Sequence, residues 1–292
     1  MDTVTHGLLG YGVYAAFKKP FMETHKKWYA LASIVAAEIP DIDGLLFNDG
    51  EAYLRIHRGL THSLLISPLM AALAVGIIYL VAFKKRKELS WKWIYFLSLF
   101  SVLSHLGADW LTTWGTGLLE PFVDSRYSLG FLPIVDLPIL LFFITGFILR
   151  KKLGTKKAFR IVWIAIFMYV GSQGMQNLWI KQQVSEQYEE TVVSASFIPT
   201  QFTVFGKNGN VIEIYSKSLW SEGEKTIIET VDDPLIVEKV LEDPYAETIA
   251  WFAPFYGITL DENEHHAVIF DPRFYNRGTS ILETEVLVGE ND

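Results

Sequence analysis

The chain has no cysteine. Disulfides, thiolate zinc sites and cysteine nucleophiles are thereby excluded, and an exported domain has to hold together by its core alone. No basic segment precedes the first apolar run. Asp2 stands there instead, and Lys18-Lys19 come after it, so no cleavable signal peptide is expected. Internal repeats and low-complexity tracts are missing too. Cations are scarce after residue 184, where 6 Lys+Arg face 21 Asp+Glu. So acidic a segment repels phosphates, and nucleic acid is not an expected partner. Anions are scarce before that point, with 12 Asp+Glu against 19 Lys+Arg in residues 1–184. The net charge of −8 hides this asymmetry. A basic first part and an acidic second part point to two domains in different surroundings.

What the chain has in quantity is apolar sequence. Half of its 292 residues are hydrophobic, and the mean hydropathy is positive. Residues 3–17 are apolar but short of a full membrane span. A second short helix is expected over 28–39, ended by Pro40, because proline disfavours helix in the residue before it. Membrane spans are expected over 63–83, 91–114, 132–149 and 161–180. Segments 18–27, 84–92 and 150–160 carry fifteen Lys+Arg, against four in 39–62, 115–131 and Lys181 together. The positive-inside rule puts the first group in the cytoplasm. Trp91, Trp93 and Trp179, near span ends, read as interface anchors.

After residue 184 the texture changes. Thr191–Phe205 and Val211–Tyr215 are rich in β-branched and aromatic residues, with Asn208-Gly209 between them as a hairpin signal. A short helix is expected over Leu235–Leu241, between Pro234 and Pro244. Further strands are expected over Thr248–Phe252 and His266–Phe270. The expected architecture is mainly α: a multi-pass helical membrane bundle, residues 1–184, with an acidic, extracytoplasmic, β-rich soluble domain, residues 185–292.

Glu38 to Ser63 organises the chain. Asp41 and Asp43 lie one residue apart, and His57, Arg58 and His62 follow within a loop's length. His105 and Asp109 are four apart, hence on one helical face, inside an expected span. Asp2 and His6 repeat that spacing. By the orientation above, all these residues fall on the outer side. Ionisable residues inside a span are expensive and usually functional. A buried His-Asp hydrogen-bonded pair is the structural alternative for His105 and Asp109. The repeated acid–histidine groups on one side favour a metal. Mixed His/Asp ligation suits zinc, manganese or iron better than calcium.

Several residues carry two readings. Arg58 either stabilises a phosphate or acyl oxyanion or pairs with a ligand carboxylate. His57 is either an acid/base group or an exposed loop histidine. Arg126 and Asp136 read as a structural salt bridge more than as catalysts, and Glu38 as a solvated helix end more than as a ligand. His25 is expected in solvent on the cytoplasmic turn, and His265-His266 on a surface turn.

The order Thr5-His6-Gly7, Pro40-Asp41-Ile42-Asp43, His57-Arg58-Gly59-Leu60-Thr61-His62-Ser63, His105-x-x-x-Asp109, Gly117-x-x-x-Pro121-Phe122 and Pro133-x-x-Asp136 resembles the YdjM-type membrane-bound metal-dependent hydrolases over residues 1–180. The acidic tail, with Phe270-Asp271-Pro272-Arg273-Phe274, resembles the extracytoplasmic tail of some members. A more distant similarity is to the helical zinc phospholipase C and P1 nuclease group. These resemblances imply His6, Asp41 or Asp43, His62, His105 and Asp109 as metal ligands, with both aspartates kept as candidates. Beside them, Arg58 and His57 are the candidate catalytic groups by the readings above, with Asp2, Glu38, Arg126 and Asp136 as candidates for the surroundings of the site. The phospholipase-like group's further histidines have no counterpart here, since no histidine lies between His105 and His265, so one or two divalent ions are expected, zinc first. The implied activity is hydrolysis of a phosphoester or ester in a lipid or lipid-linked substrate at the cytoplasmic membrane. A metal-binding regulator or transporter is the alternative. The tail could capture an extracytoplasmic protein.

Overall fold

A computed structural model describes residues 1–45, 47, 49–261 and 265–289. It divides into two compact units. The first comprises Met1–Leu46 and Ile56–Gln173, and the second Phe47–Arg55 and Gly174–Asp292.

The first unit is helical. Its helices are α1 (Thr3–Phe17), α2 (Lys26–Glu38), α4 (Ser67–Val81), α5 (Trp91–Trp110), α6 (Leu137–Leu153) and the start of α7 (Thr155–Val184). α3 (Gly50–Ile56) enters the second unit except for its last residue. α2 packs on α1 and α5, α5 on α1 and α4, and α6 on α1. α1 and α2 approach closely at Gly10, where a Cβ would collide with the Ser33 carbonyl oxygen. Leu9, Val13, Tyr29, Ile94, Phe143 and Phe159 fill the core around that contact. Other large apolar side chains face outward: Leu69 and Leu80 on α4, Leu141 and Ile148 on α6, Ile164 and Phe167 on α7.

The helices are shorter than the apolar runs suggest. The expected span 63–83 begins only at Ser67, because Ser63 forms a turn, its hydroxyl donating to the Glu120 carbonyl at 2.5 Å. α5 stops at Trp110, where Thr112 N–H turns back to the Asp109 carbonyl at 3.0 Å. Among the described residues, one helix, Thr155–Val184, is long and apolar enough by itself to cross a membrane. A second candidate exists if Gly50–His62 and Ser67–Val81, bent by 87°, count as one span.

In the second unit, β1 (Glu190–Ala195), β2 (Phe202–Asn208), β3 (Val211–Lys217) and β4 (Thr226–Glu229) form an antiparallel meander. The β-rich stretch 191–205 forms two strands, with Thr200 between them at a φ of 68°. The hairpin forms, with Asn208 opposite Val211 and Gly209 at φ 52°. α8 (Pro234–Leu241) is the expected helix, and α9 (Pro244–Phe252) replaces the strand expected over 248–252. The reason is local. Asp243 caps α9 by accepting from Tyr245 N–H at 3.0 Å and Ala246 N–H at 2.9 Å, with Pro244 at the first helical position. β5 (Gly257–Leu260), β6 (His266–Phe270) and, after the short pair β7 (Tyr275–Asn276) and β8 (Thr279–Ser280), β9 (Glu283–Leu287) complete the fold in the order β5-β6-β9. Asp271 is buried and takes Arg273 in an ion pair at 2.6 Å. Sequence texture divides the chain at 184/185, whereas the units part at 173/174. The last turns of α7 account for the shift, burying Ile180 and Val184 among Tyr188, Val193, Phe202 and Tyr215.

Candidate metal centre

Four segments of the helical unit bring the site together. The 3-10 segment Ile39–Leu45 carries Asp41 and Asp43. The stretch after α3 carries His57 and Arg58, and a 3-10 turn, Leu60–His62, carries His62. α5 presents His105 and Asp109 one turn apart, and α1 contributes His6. His6, His62, His105 and Asp109 are fully buried.

Two sets of ligand atoms converge, each within 4.8 Å: Asp41, His62, His105 and Asp109 in one, Asp41, Asp43 and His57 in the other. Asp41 belongs to both. The Nε2 atoms of His62 and His105 stand 3.0 Å apart. Asp109 Oδ2 lies 3.3 Å from the first and 3.4 Å from the second. Asp41 Oδ1 lies 3.2 Å from His62 Nε2 and 3.5 Å from His105 Nε2. His105 is oriented from behind, its Nδ1–H donating to the Ala37 carbonyl at 2.6 Å. That bond leaves the lone pair on Nε2, the tautomer a metal ligand needs. In the second set His57 Nδ1 meets Asp43 Oδ1 at 2.8 Å. Asp43 Oδ2 accepts from the Thr61 hydroxyl and, at 3.3 Å, from Arg58 N–H. Asp41 is the most open member, its side chain 26% exposed.

The donors fit a cation. Both ring nitrogens of His6 and Asp109 Oδ2 are buried without a hydrogen-bond partner, and a cation would satisfy such lone pairs. Burial alone would raise the Asp41 carboxyl, but the adjoining His105 and His62 side chains hold it below the usual carboxylate range. Asp43 is likewise lowered against its burial by His57 and His62. Burial disfavours a charged His62, yet Asp109, Asp41 and Asp43 raise it to about 10. A proton on His62 thus adds positive charge among these carboxylates, beside that of Arg58 on Asp109.

His6 stands beside the two sets. Its Nε2 is 3.3 Å from Asp109 Oδ1, and its ring stacks on His105 with centroids 3.7 Å apart. Arg58, at φ 61°, pairs through Nη2 with Asp109 Oδ1 at 3.0 Å and donates through Nη1 to Thr112 at 3.0 Å. Of its two readings, this is the pairing one. The Gly117 N–H holds the Arg58 carbonyl at 2.7 Å, and a Cβ on Gly117 would run into the Glu120 carboxylate. The Met1 amino group also sits on Asp109.

The four outer candidates, Asp2, Glu38, Arg126 and Asp136, stand outside both ligand sets. Asp2 caps α1, accepting from Thr5 N–H at 3.0 Å. Asp136 caps α6, accepting from Ile139 N–H at 2.9 Å and from the Tyr169 hydroxyl at 2.9 Å, so the expected salt bridge with Arg126 is not its role. Arg126 donates to the His57 carbonyl instead. Glu38 is not at a solvated helix end: it is half-buried, with its carboxylate against Gly7 of α1. His25 pairs with Glu88 at 2.9 Å and His266 with Glu285 at 3.3 Å, and neither belongs to a ligand set. Sequence reasoning missed the Ala37 carbonyl, Thr61 and Thr112. Thr61 sits inside the His-Arg-Gly-x-Thr-His-Ser motif and Thr112 three residues after Asp109, so both had a signal. The Ala37 carbonyl had none.

A helical unit with outward-facing apolar side chains and a buried His/Asp cluster defines a membrane-associated class with a candidate metal site. The chain belongs to the YdjM inner membrane protein family, which matches residues 1–180. It is also 23% identical over 292 residues to the uncharacterized protein YfhP of Bacillus subtilis (strain 168), covering 95% of this chain and 88% of that protein. No solved structure matches the chain at a significant level.

Proposed function

We propose that the protein is a multi-pass, metal-dependent hydrolase of the cytoplasmic membrane, acting on a phosphoester or ester of a lipid or lipid-linked substrate. The observation that carries this reading is the pair of ligand sets sharing Asp41. Adjacent cation sites with a common carboxylate suit displacement at a phosphoryl or acyl centre. A divalent cation bound there supplies Lewis-acid polarisation and a water acidic enough to act as nucleophile near neutral pH. Zinc fits the imidazole-rich set first, with manganese or iron as alternatives.

The chain's own residues divide the work. His62, His105, Asp109 and Asp41 would hold the first cation. Asp43 and His57, with Asp41, would hold a second, or His57 keeps its proton on Nδ1 against Asp43 and serves as the acid/base. Arg58 holds Asp109 in position and offsets its charge. Substrate enters on the Asp41 flank, where the cluster is most open. The outward apolar faces of α4, α6 and α7 support membrane embedding, since soluble surfaces rarely expose so much contiguous apolar area. The basic segments support an outward-facing site and tail. Protein purified in detergent should hold one or two divalent ions per chain and hydrolyse members of a panel of lipid phosphoesters and esters. Tight metal with no turnover on any of them would favour the regulator instead.

A further inference from the structure

A second site lies where α1 ends and α6 turns into α7. A cavity of 620 Å³ opens there, lined by Lys18, Lys19, Lys156, Lys157 and Arg160 together with Glu23. Five cations face one carboxylate. That carboxylate is already taken, since Glu23 pairs with Lys18 and, at 3.1 Å, with Lys26.

The placement of Lys156 and Lys157 does not serve the helix. They occupy the first turn of α7, which contains no acidic residue. Cations there oppose the positive end of the helix dipole. Gly154, which precedes the helix at φ 77°, has no side chain to cap the free N–H groups. Arg160 adds a guanidinium, its Nε donating to the Ala16 carbonyl of α1 at 3.3 Å. Lys19 is held over the Trp93 ring at 5.1 Å. Glu23 offsets Lys18, and the positive helix end with the other four cations favours a further anion in the cavity.

What continues from the cavity is apolar. Lys157, Ile161, Ile164 and Met168 follow one face of α7, and the last three are 40%, 59% and 72% exposed. Phe21, beside Pro20, is half exposed. An anionic head above an apolar stripe is the shape of a phospholipid.

We propose that this cavity binds the phosphate-bearing headgroup of an anionic phospholipid, with an acyl chain lying along Ile161, Ile164 and Met168. The site is separate from the metal cluster, and the proposal does not rest on hydrolysis.

The test uses the full chain in nanodiscs of phosphatidylcholine with a minor fraction of phosphatidylglycerol, followed by native mass spectrometry of lipid retained after release. Lys19→Ser/Lys156→Ser/Lys157→Ser removes three of the five cations. Lys84→Ser/Lys85→Ser/Lys87→Ser removes the same charge from a basic turn outside the cavity. Phosphatidylglycerol retention should fall roughly a hundredfold in the first variant and stay near wild type in the second. Equal retention in both variants, or equal loss, would overturn the site. If inorganic phosphate alone displaces the lipid at comparable concentration, the ligand is a free anion and the lipid assignment fails. Metal content should be unchanged in both variants, which reports that they fold.

Discussion

His105 Nδ1 and the Ala37 carbonyl oxygen lie 2.6 Å apart, so an α2 backbone atom fixes the tautomer of an α5 side chain. The lone pair of His105 is thereby set on the atom facing His62, Asp41 and Asp109 before any cation arrives. The first prediction concerns ligation. His62→Ala and Asp109→Asn should each lower bound metal sharply, because an incomplete coordination sphere remains. His25→Ala and His266→Ala should leave it unchanged. Elemental analysis of the four purified variants decides, and normal metal content in His62→Ala would falsify the assigned centre.

The second prediction is a pH dependence. Without metal, the surrounding carboxylates raise His62 to about 10, so it stays protonated at neutral pH. A raised value means that the stabilisation from His62 is complete below the ordinary value of 6.5 and is lost as pH rises through about 10. A cation must displace that proton. Apparent metal affinity should therefore rise with pH, by about tenfold per unit for one proton released. Calorimetry at pH 7.5 in two buffers of different ionisation enthalpy should show the release. Identical heats in both buffers would count against it.

Arg58 gives the third. It is buried on Asp109, and breaking a buried ion pair from one side costs about 3 kcal/mol or more. A bound cation would offset the charge left on Asp109. Arg58→Gln should therefore lower the melting temperature of chelator-treated protein much more than that of metal-loaded protein. Equal shifts in the two states would show that Arg58 does not balance Asp109.

The fourth is remote from the cluster. Gly10 is where α1 meets the backbone of α2, one turn after His6. Gly10→Leu forces the helices apart, and overpacking of this kind costs about 1–3 kcal/mol. Because α1 carries His6 and α2 carries Ala37, metal affinity should fall along with stability. Gly171→Leu, with open space around its Cβ position, is the control and should change neither.

How much of this was legible follows from sequence distance. The i,i+4 pair His105–Asp109 and the compact motif from His57 to Ser63 are local, and local spacing survives folding. Asp2 and Asp136 were drawn toward the metal by their neighbours in sequence. Each stands directly before its helix, where an aspartate is first of all a cap, and the Pro138 that follows Asp136 reinforces that reading. The same signal at Asp243-Pro244 outweighs the β-rich look of Thr248–Phe252. The pairing of Arg58 with Asp109 spans 51 residues and the bond from His105 to Ala37 spans 68, distances at which spacing says nothing.

The fifth prediction is topological. If the basic segments are cytoplasmic, the Gly209 hairpin and the rest of the tail lie outside. Protease added to intact cells stripped of any outer barrier should remove the tail. Protection until lysis would reverse the orientation and turn the metal cluster inward.

Residues 47–55 fold with the tail although the chain on either side of them belongs to the helical unit. The polypeptide therefore crosses between the two units three times, and the tail is not an appendage that could be gained or shed at one junction. Asp43 precedes the excursion and His57 follows it. Within it, Arg55 pairs with Glu247 at 3.2 Å and lies over Trp251 at 5.7 Å, residues beyond the stretch that the family shares. Truncation after residue 173 would strip α3 of those supports and leave the link between two ligand-bearing segments slack.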